Sequence, residues 1–122
     1  MNAKEWLRHI KTNSVELETI SDELNYFEKH RSTCSRSRIA ELQERRDQLI
    51  EQKVMLANIV DNIADPVARS IYRSRYVTGD SWKVVATKCG GMSERNAHYI
   101  HDNTFPEFER IYLCKWFGGS EE

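Results

Sequence analysis

The chain has 122 residues, of which 39% are hydrophobic, 30% charged and 10% aromatic, with only 5 Gly and 2 Pro. This composition excludes a disordered or collagen-like chain, and the scarcity of Gly and Pro argues against a turn-rich β-sandwich or barrel. The net charge of −1 indicates no polyanionic partner by itself, but residues 66–101 carry six Lys or Arg and two Asp or Glu between acidic flanks. Such a basic block is typical of a nucleic-acid-binding module, and an ordinary solvated face has the same appearance.

Three further observations indicate the cellular compartment. No apolar run approaches the roughly 20 residues of a membrane-spanning helix, and the first five residues lack the apolar stretch of a signal peptide. The cysteines Cys34, Cys89 and Cys114 are odd in number and widely spaced, which is typical of reduced thiols. We therefore expect a cytoplasmic, all-α protein with no membrane contact.

Residues 3–27 carry an apolar stripe that predicts a long first helix. Its apolar residues recur at alternating steps of three and four, and the other faces are rich in Glu, Asp and Lys. Asn2 and Glu5 are spaced for a capping box at its start. Asn13 is a polar residue at a core position, where it can fix register or partner number. The stripe consists of Ala3, Trp6, Ile10, Asn13, Leu17, Ile20, Leu24 and Phe27.

A second stripe predicts another long helix, with Arg46 and Lys53 at positions that a strict heptad would fill with apolar residues. Their stems can cover apolar surface while their charges reach water. Its apolar members are Ile39, Leu42, Leu49, Leu56, Val60 and Ile63. A helix cannot cover its own apolar stripe, so each of these two stripes must pack against another helix. We therefore predict that residues 1–64 form an antiparallel helical hairpin. Because the two stripes expose more apolar surface than one chain is expected to cover, we also predict that this hairpin holds a homodimer together.

Residues 28–38 are expected to form the loop between these helices. They are almost devoid of apolar residues, and their serines compete for backbone hydrogen bonds outside a helix. The part from 29 to 38 contains no acidic residue and carries Lys29, Arg31, Arg36 and Arg38. We interpret it as a solvated connection, with contact to phosphate or to an acidic polymerase surface as the alternative.

The second half of the chain carries helix start and stop signals. Asp65 followed by Pro66 caps and begins a helix, and Thr78-Gly79-Asp80 ends it. Ser81 is then placed to cap a short helix over residues 82–88.

A glycine turn at Cys89-Gly90-Gly91 leads to a further helix, capped by Ser93 and ending near Asn103. A short helix, a glycine turn and a capped second helix form the helix-turn-helix arrangement. Ala86 fits this arrangement because the two helices cross closely there and need a small side chain. The inward side of the last helix is predicted to consist of Ala97, Ile100, His101 and Thr104.

Residues 63–104 share a set of motifs with a known family. These are Asp65-Pro66, Arg69, Arg75-Tyr76-Val77, Gly79, Ser81-Trp82, Ala86, Ser93 and Tyr99-Ile100-His101. In them the chain resembles the C-terminal module of phage transcriptional regulators of the ArpU/RinA kind, a module similar to region 4 of bacterial sigma factors. It departs from that pattern at Gly90-Gly91, where the family usually has a leucine–glycine pair, and at Pro106, which interrupts an end that commonly continues as helix. The resemblance implies binding of promoter DNA and control of late phage genes in a bacterial host cell.

The resemblance also implies a set of DNA-binding residues. The helix over residues 93–103 would enter the major groove, with Arg95 suited to a bidentate guanine contact and Asn96 to an adenine contact. Glu94 either accepts from cytosine or stabilises the start of the helix. The residues expected to face DNA from this helix are Ser93, Glu94, Arg95, Asn96, His98 and Tyr99. Those expected to contact the DNA backbone are Arg73, Arg75, Ser81 and Lys83.

The last segment, residues 106–117, is predicted to be a short amphipathic helix that begins at Pro106 and packs back on the helix-turn-helix. An interaction surface for polymerase or another protomer is the alternative. With this segment, residues 65–117 form a second domain, and residues 118–122 form a flexible tail. The sequence has no zinc-ligand spacing, phosphate loop or nucleophile elbow, so we expect no metal, no cofactor and no enzyme activity.

Together these observations predict a sequence-specific transcriptional regulator that binds double-stranded DNA, with host RNA polymerase as a further candidate partner. One alternative is a small-terminase-like packaging protein, which would form a ring of many subunits that light scattering distinguishes from a dimer. The other is a protein-only adaptor of RNA polymerase, which would show no salt-dependent affinity for DNA.

Overall fold

The computed structural model describes residues 1–115, and over these residues every element is helical, which confirms the all-α prediction. The elements are α1 (Ala3–Lys29), α2 (Thr33–Val60), α3 (Pro66–Tyr72), a π-helical segment that continues α3 (Arg73–Val77), α4 (Trp82–Lys88) and α5 (Glu94–Leu113). The predicted tail 118–122 and the last two residues of the predicted second domain lie outside the described residues. No helix in residues 1–115 has both the length and the apolar character needed to cross a membrane.

α1 and α2 run antiparallel, and polar pairs join them along their length. Glu23 pairs with Arg38 at 2.7 Å near the turn between the helices. Further from the turn, the side-chain amide of Asn13 donates to Oε1 of Gln52 at 3.0 Å. Asn13 is thus satisfied by a single partner on α2, which fixes the register of the two helices as expected for a polar residue at a core position.

Both long helices begin with a capping box. At α1 the Oδ1 of Asn2 accepts from the Glu5 amide at 2.8 Å, as predicted. At α2 the Oγ of Ser32 accepts from the Ser35 amide at 3.2 Å, and the Oγ of Ser35 accepts from the Ser32 amide at 2.8 Å. The predicted loop over residues 28–38 is therefore wrong, since only residues 30–32 connect the helices. The serines do not disrupt the helix, because they supply acceptors for its free amides.

The described residues form three apolar clusters, and the first two bury the stripes of α1 and α2 within the single chain. The first joins α1, α2, α3 and α5 and is formed by Ala3, Leu7, Ile10, Leu56, Ile59, Val60, Ile63, Ala68, Tyr72, Tyr76, Phe108 and Tyr112. The second lies between α1 and α2 near their turn and is formed by Ile20, Leu24, Ile39, Leu42 and Leu49. The third joins α3, α4 and α5 and is formed by Ile71, Val85, Ala86 and Ala97.

This burial removes the reason for expecting a homodimer. The premise that one chain cannot cover the two stripes is wrong, because α3 and α5 cover the half of the α1–α2 pair that lies far from its turn. The dimer itself stays a prediction. The predicted boundary between residues 64 and 65 falls between α2 and α3, and the first cluster contains residues from both sides of it.

α5 continues through Pro106, so the predicted break there is wrong, both as the end of one helix and as the start of the next. Pro106 has no amide and leaves the carbonyl of Asp102 without its helical partner. Burial of side chains beyond the proline outweighs this loss. Phe108 is fully buried and stacks on Tyr72 with ring centroids 5.2 Å apart. The described part of the C-terminal segment thus packs back on the other helices.

Lys53 is half-buried and its ammonium is bound by the protein, which differs from the prediction that its charge is solvated. Its ammonium donates to Oγ of Ser14 at 2.6 Å and to the carbonyls of Tyr76 at 3.0 Å and Val77 at 2.8 Å, where the helix that begins with α3 ends. A cation is stabilised at this position because the last carbonyls of a helix lack partners and carry its negative dipole end. Burial lowers the pKa of Lys53. Arg46, in contrast, keeps 38% of its side chain exposed.

Candidate nucleic-acid interface

α4 and the start of α5 form a compact corner with a cap on each helix. Oγ of Ser81 accepts from the amide three residues on at 3.4 Å, and Oγ of Ser93 does the same at 3.1 Å, so both predicted caps are confirmed. Ala86 and Ala97 are 3% and 0% exposed in the cluster that joins the two helices. The small side chains therefore let α4 and α5 approach closely and fix the direction in which α5 leaves the corner.

The turn between α4 and α5 depends on two glycines. Gly90 has φ 111° and Gly91 has φ 66°, values that L side chains rarely adopt. A Cβ atom at either residue would meet nothing within 4 Å, so the backbone conformation, and not a lack of space, requires glycine here. The Met92 amide donates to the carbonyl of Ala86 at 3.0 Å and closes the turn.

The first three turns of α5 present a polar face to solvent. Ala97 is fully buried beneath this face, and the other three predicted inward residues are half-buried. Within the described residues Arg95 makes no ion pair and no side-chain hydrogen bond, and Asn96 makes only a weak one, to the sulfur of Met92 at 3.8 Å. Tyr99 is 64% exposed. The exposed residues of this face are Ser93, Glu94, Arg95, Asn96, His98, Tyr99 and Asp102.

Arg75 is held beside this face by an aromatic stack. Its guanidinium carbon lies 4.8 Å from the ring centroid of Trp82, and the Trp82 ring lies 3.8 Å from that of His98 on α5. Nη1 of Arg75 also donates to the carbonyl of Asp80 at 3.1 Å. Burial lowers the pKa of Arg75, but an arginine keeps its charge at physiological pH. A fixed positive charge thus stands next to the exposed face of α5.

The other predicted backbone-contact residues are brought together only in part. Ser81 and Lys83 are exposed at the start of α4. Arg73 lies apart from Arg75: it borders a groove at the C-terminal end of α4, whereas Arg75 borders a groove between α1 and α5. Arg73 also pairs with Asp61 at 3.4 Å. Arg75 therefore lies beside the α5 face, Ser81 and Lys83 are exposed at the start of α4, and Arg73 lies in a different groove.

His101 lies on the inward side of α5, where its ring contacts the aromatic rings of Tyr72, Tyr76 and Trp82. Its Nε2 lies 2.7 Å from the Tyr76 hydroxyl, and its Nδ1 lies 3.0 Å from Oδ1 of Asp102. Because an ionised carboxylate only accepts, a neutral ring satisfies both contacts when Nδ1 carries the proton and Nε2 accepts from the hydroxyl. Tyr72 stacks on this ring with centroids 4.6 Å apart and planes 6° apart. Burial lowers the pKa of His101 and raises the pKa of Tyr76 to about 12. Both groups are neutral near pH 7, so the support beneath α5 is uncharged.

We expect the neutral state of His101 to make the stability of the fold depend on pH. Its folded pKa lies below the ordinary value of about 6.5, so the unfolded chain takes up the proton first. The free energy of unfolding therefore falls as the pH falls through about 6.5. Urea denaturation at pH values between about 5 and 8 checks this against the His101→Gln variant. The stability difference between the two chains should narrow on acidification, and a difference independent of pH would contradict a buried neutral ring.

A groove of about 550 Å³ between α1 and α5 is bordered by basic residues to which the sequence analysis assigned no role. Lys4, Arg8 and Lys11 line it from α1, opposite Arg75 and the carboxylate of Asp102. The signal in the sequence is their spacing, which puts three cations on one side of a helix. That spacing is equally typical of a solvated face, and only the packing of α5 against α1 makes it part of a groove.

Within residues 1–115 no three His, Cys, Asp or Glu side chains lie together in a way that could hold a metal ion. No protein family, curated protein or solved structure matches this chain. The resemblance to regulators of the ArpU/RinA kind therefore stays a prediction made from the motifs.

Proposed function

We propose that this chain is a sequence-specific DNA-binding transcriptional regulator. In this proposal α3, α4 and α5 form a helix-turn-helix domain like sigma region 4, and α1 and α2 form a helical hairpin attached to it. The observation that carries the proposal is the polar face of α5, where Arg95, Asn96 and Tyr99 are exposed on a helix whose opposite side is anchored by Ala97. A helix with this division can lie in the major groove and keep its packing.

The chemistry of the exposed face supports base reading. A guanidinium can donate two hydrogen bonds to guanine, and a carboxamide can both donate to and accept from adenine. Arg95 and Asn96 have almost no competing partners within the described residues, so binding breaks few existing hydrogen bonds. Lys83, exposed on α4, and Arg75, held by the Trp82 ring, supply positive charge for contacts to the sugar-phosphate backbone.

The experiment that tests this function replaces Arg95 and Asn96 together with alanine. A duplex selected from a randomised pool by the native chain serves as the probe, and a scrambled duplex of the same length serves as the non-specific reference. We expect the double variant to lose about 2–6 kcal/mol of preference for the selected duplex, because each bidentate pair contributes about 1–3 kcal/mol. Its thermal unfolding should be almost unchanged, since both residues are exposed.

The matched control replaces Arg36 and Asn58 with alanine. These residues have the same chemistry, are exposed on α2 and lie outside the proposed interface. The control variant should keep its full preference. A double variant at Arg95 and Asn96 that still distinguishes the two duplexes would remove α5 from the role of reader. A native chain that binds no duplex at low salt would instead favour a protein-only adaptor.

The finer parts of the proposal concern partners. A homodimer through α1 and α2 is supported by apolar side chains that the single chain leaves exposed, namely Val15, Tyr26, Ile50 and Val54. Contact with host RNA polymerase, action on late phage genes and a place in the bacterial cytoplasm are supported by the motif resemblance alone.

A further inference from the structure

The groove between α1 and α5 is strongly positive. Four permanent cations border it, Lys4, Arg8, Lys11 and Arg75, against the single carboxylate of Asp102. His101 also borders it, and burial lowers the pKa of that ring, so it adds no charge near pH 7. The excess of positive charge favours an anionic occupant.

Two of these cations are already fixed by the fold and two are free. Lys11 donates to the carbonyl of Gly79 at 3.3 Å, and Arg75 is held by the Trp82 ring. Lys4 and Arg8 are exposed and make no ion pair within residues 1–115. The groove thus has a positioned cation on each wall, together with two cations that, among residues 1–115, can reach an anion without breaking an existing contact.

The groove opens at the end of the face that α5 presents. Asp102 belongs both to that exposed face and to the lining of the groove, one helical turn beyond His98 and Tyr99. On α1, Lys4 and Arg8 are about 6 Å apart along the helix axis, and Lys4 and Lys11 about 10 Å. A row of this length spans about three phosphates of one DNA strand, which follow each other every 3.4 Å along the duplex axis.

We infer that this groove binds the sugar-phosphate backbone of one DNA strand, next to the base pairs that α5 reads. The inference rests on the proposed function and adds α1 to the interface. Lys4 and Arg8 contact two phosphates of this strand, and Arg75 contacts the backbone from the opposite wall. The contacts are independent of base sequence, because phosphate groups are the same at every step.

The test replaces Lys4 and Arg8 with alanine and measures affinity for the selected duplex over a range of salt concentrations. Each lost phosphate contact lowers the slope of log affinity against log salt by about 0.9, so the double variant should lose about 1.8. At about 0.1 M salt the affinity should fall 10- to 100-fold for the selected and the scrambled duplex alike. Ethylation of phosphates beside the α5 site should weaken binding of the native chain and leave the variant unaffected.

The control replaces Arg31 and Arg36 with alanine. It removes the same charge at the turn end of the α1–α2 pair, far from the groove, and should leave the slope unchanged. Equal slopes for the native chain and the Lys4/Arg8 variant would overturn the inference. In that case loss of base preference in the Arg95/Asn96 variant would still support α5 as the reader. Failure of the native chain to bind any duplex would overturn both.

Discussion

Replacing Phe108 with alanine should destabilise the whole chain by about 3–5 kcal/mol, the range found when a fully buried aromatic side chain is removed. Phe108 is 0% exposed and stacks on Tyr72 at a centroid distance of 5.2 Å. Its cluster contains residues of α1, α2, α3 and α5. We therefore expect all helices of the variant to unfold in one transition, at a lower urea concentration than in the native chain. α1 and α2 should not remain folded after the other helices unfold.

The measurement is urea denaturation followed by two probes. Far-UV circular dichroism reports mainly on α1 and α2, and tryptophan fluorescence reports in part on Trp82 beside α5. Leu113→Ala is the matched control, because this residue lies on the same helix and is 45% exposed. If the Phe108→Ala chain fails to fold, Phe108→Leu leaves a smaller cavity and the same comparison can be made. Two separate transitions would contradict a shared core.

Replacing Lys53 with methionine should cost about 2–3 kcal/mol of stability. The methionine keeps most of the apolar stem, so the change isolates the ammonium and its bonds to Ser14, Tyr76 and Val77. Two carbonyls at the end of a helix then lose their shared donor. Part of the loss is offset because the variant no longer removes an ammonium group from water.

The matched control for Lys53 is Arg46→Met, which lies one heptad earlier in the same stripe. Arg46 is 38% exposed and its ion pair with Asp47, at 3.5 Å, is at the surface, so the change should alter stability by less than about 0.5 kcal/mol. Chemical denaturation of both variants provides the comparison. Equal losses of stability in the two variants would show that the position in the stripe, and not the three hydrogen bonds of Lys53, determines the loss.

The features that were predictable from the sequence are those that depend on neighbouring residues. The caps at Asn2, Ser81 and Ser93 need only an acceptor and an amide three positions apart. The division of α5 into a buried and an exposed side follows from the helical period, and the structure places Ala97 inside and Arg95 outside, as that period requires.

The features that were not predictable depend on residues distant in sequence. Pro106 predicts a break, and only the stacking of Phe108 on Tyr72 explains why the helix continues. In the sequence Lys53 is a charged residue within an apolar stripe, a pattern that predicts a solvated side chain. The carbonyls that bind it, those of Tyr76 and Val77, belong to another helix. The separation of Arg73 from Arg75, in contrast, follows from their spacing in the sequence. Side chains two positions apart on a helix do not face each other, and these two border different grooves.

The attachment of α1 and α2 to the rest of the chain has a geometric consequence. Lys11 binds the carbonyl of Gly79 and Lys53 binds that of Tyr76, at and just after the end of the helix that begins with α3. The side chain of Tyr76 also belongs to the first apolar cluster. The two long helices are each about 40 Å in length, and among the described residues only the half of the pair that lies far from its turn packs against α3 and α5. Any molecule that docks at the opposite tip, around Arg31, is therefore held at a fixed distance and angle from the exposed face of α5.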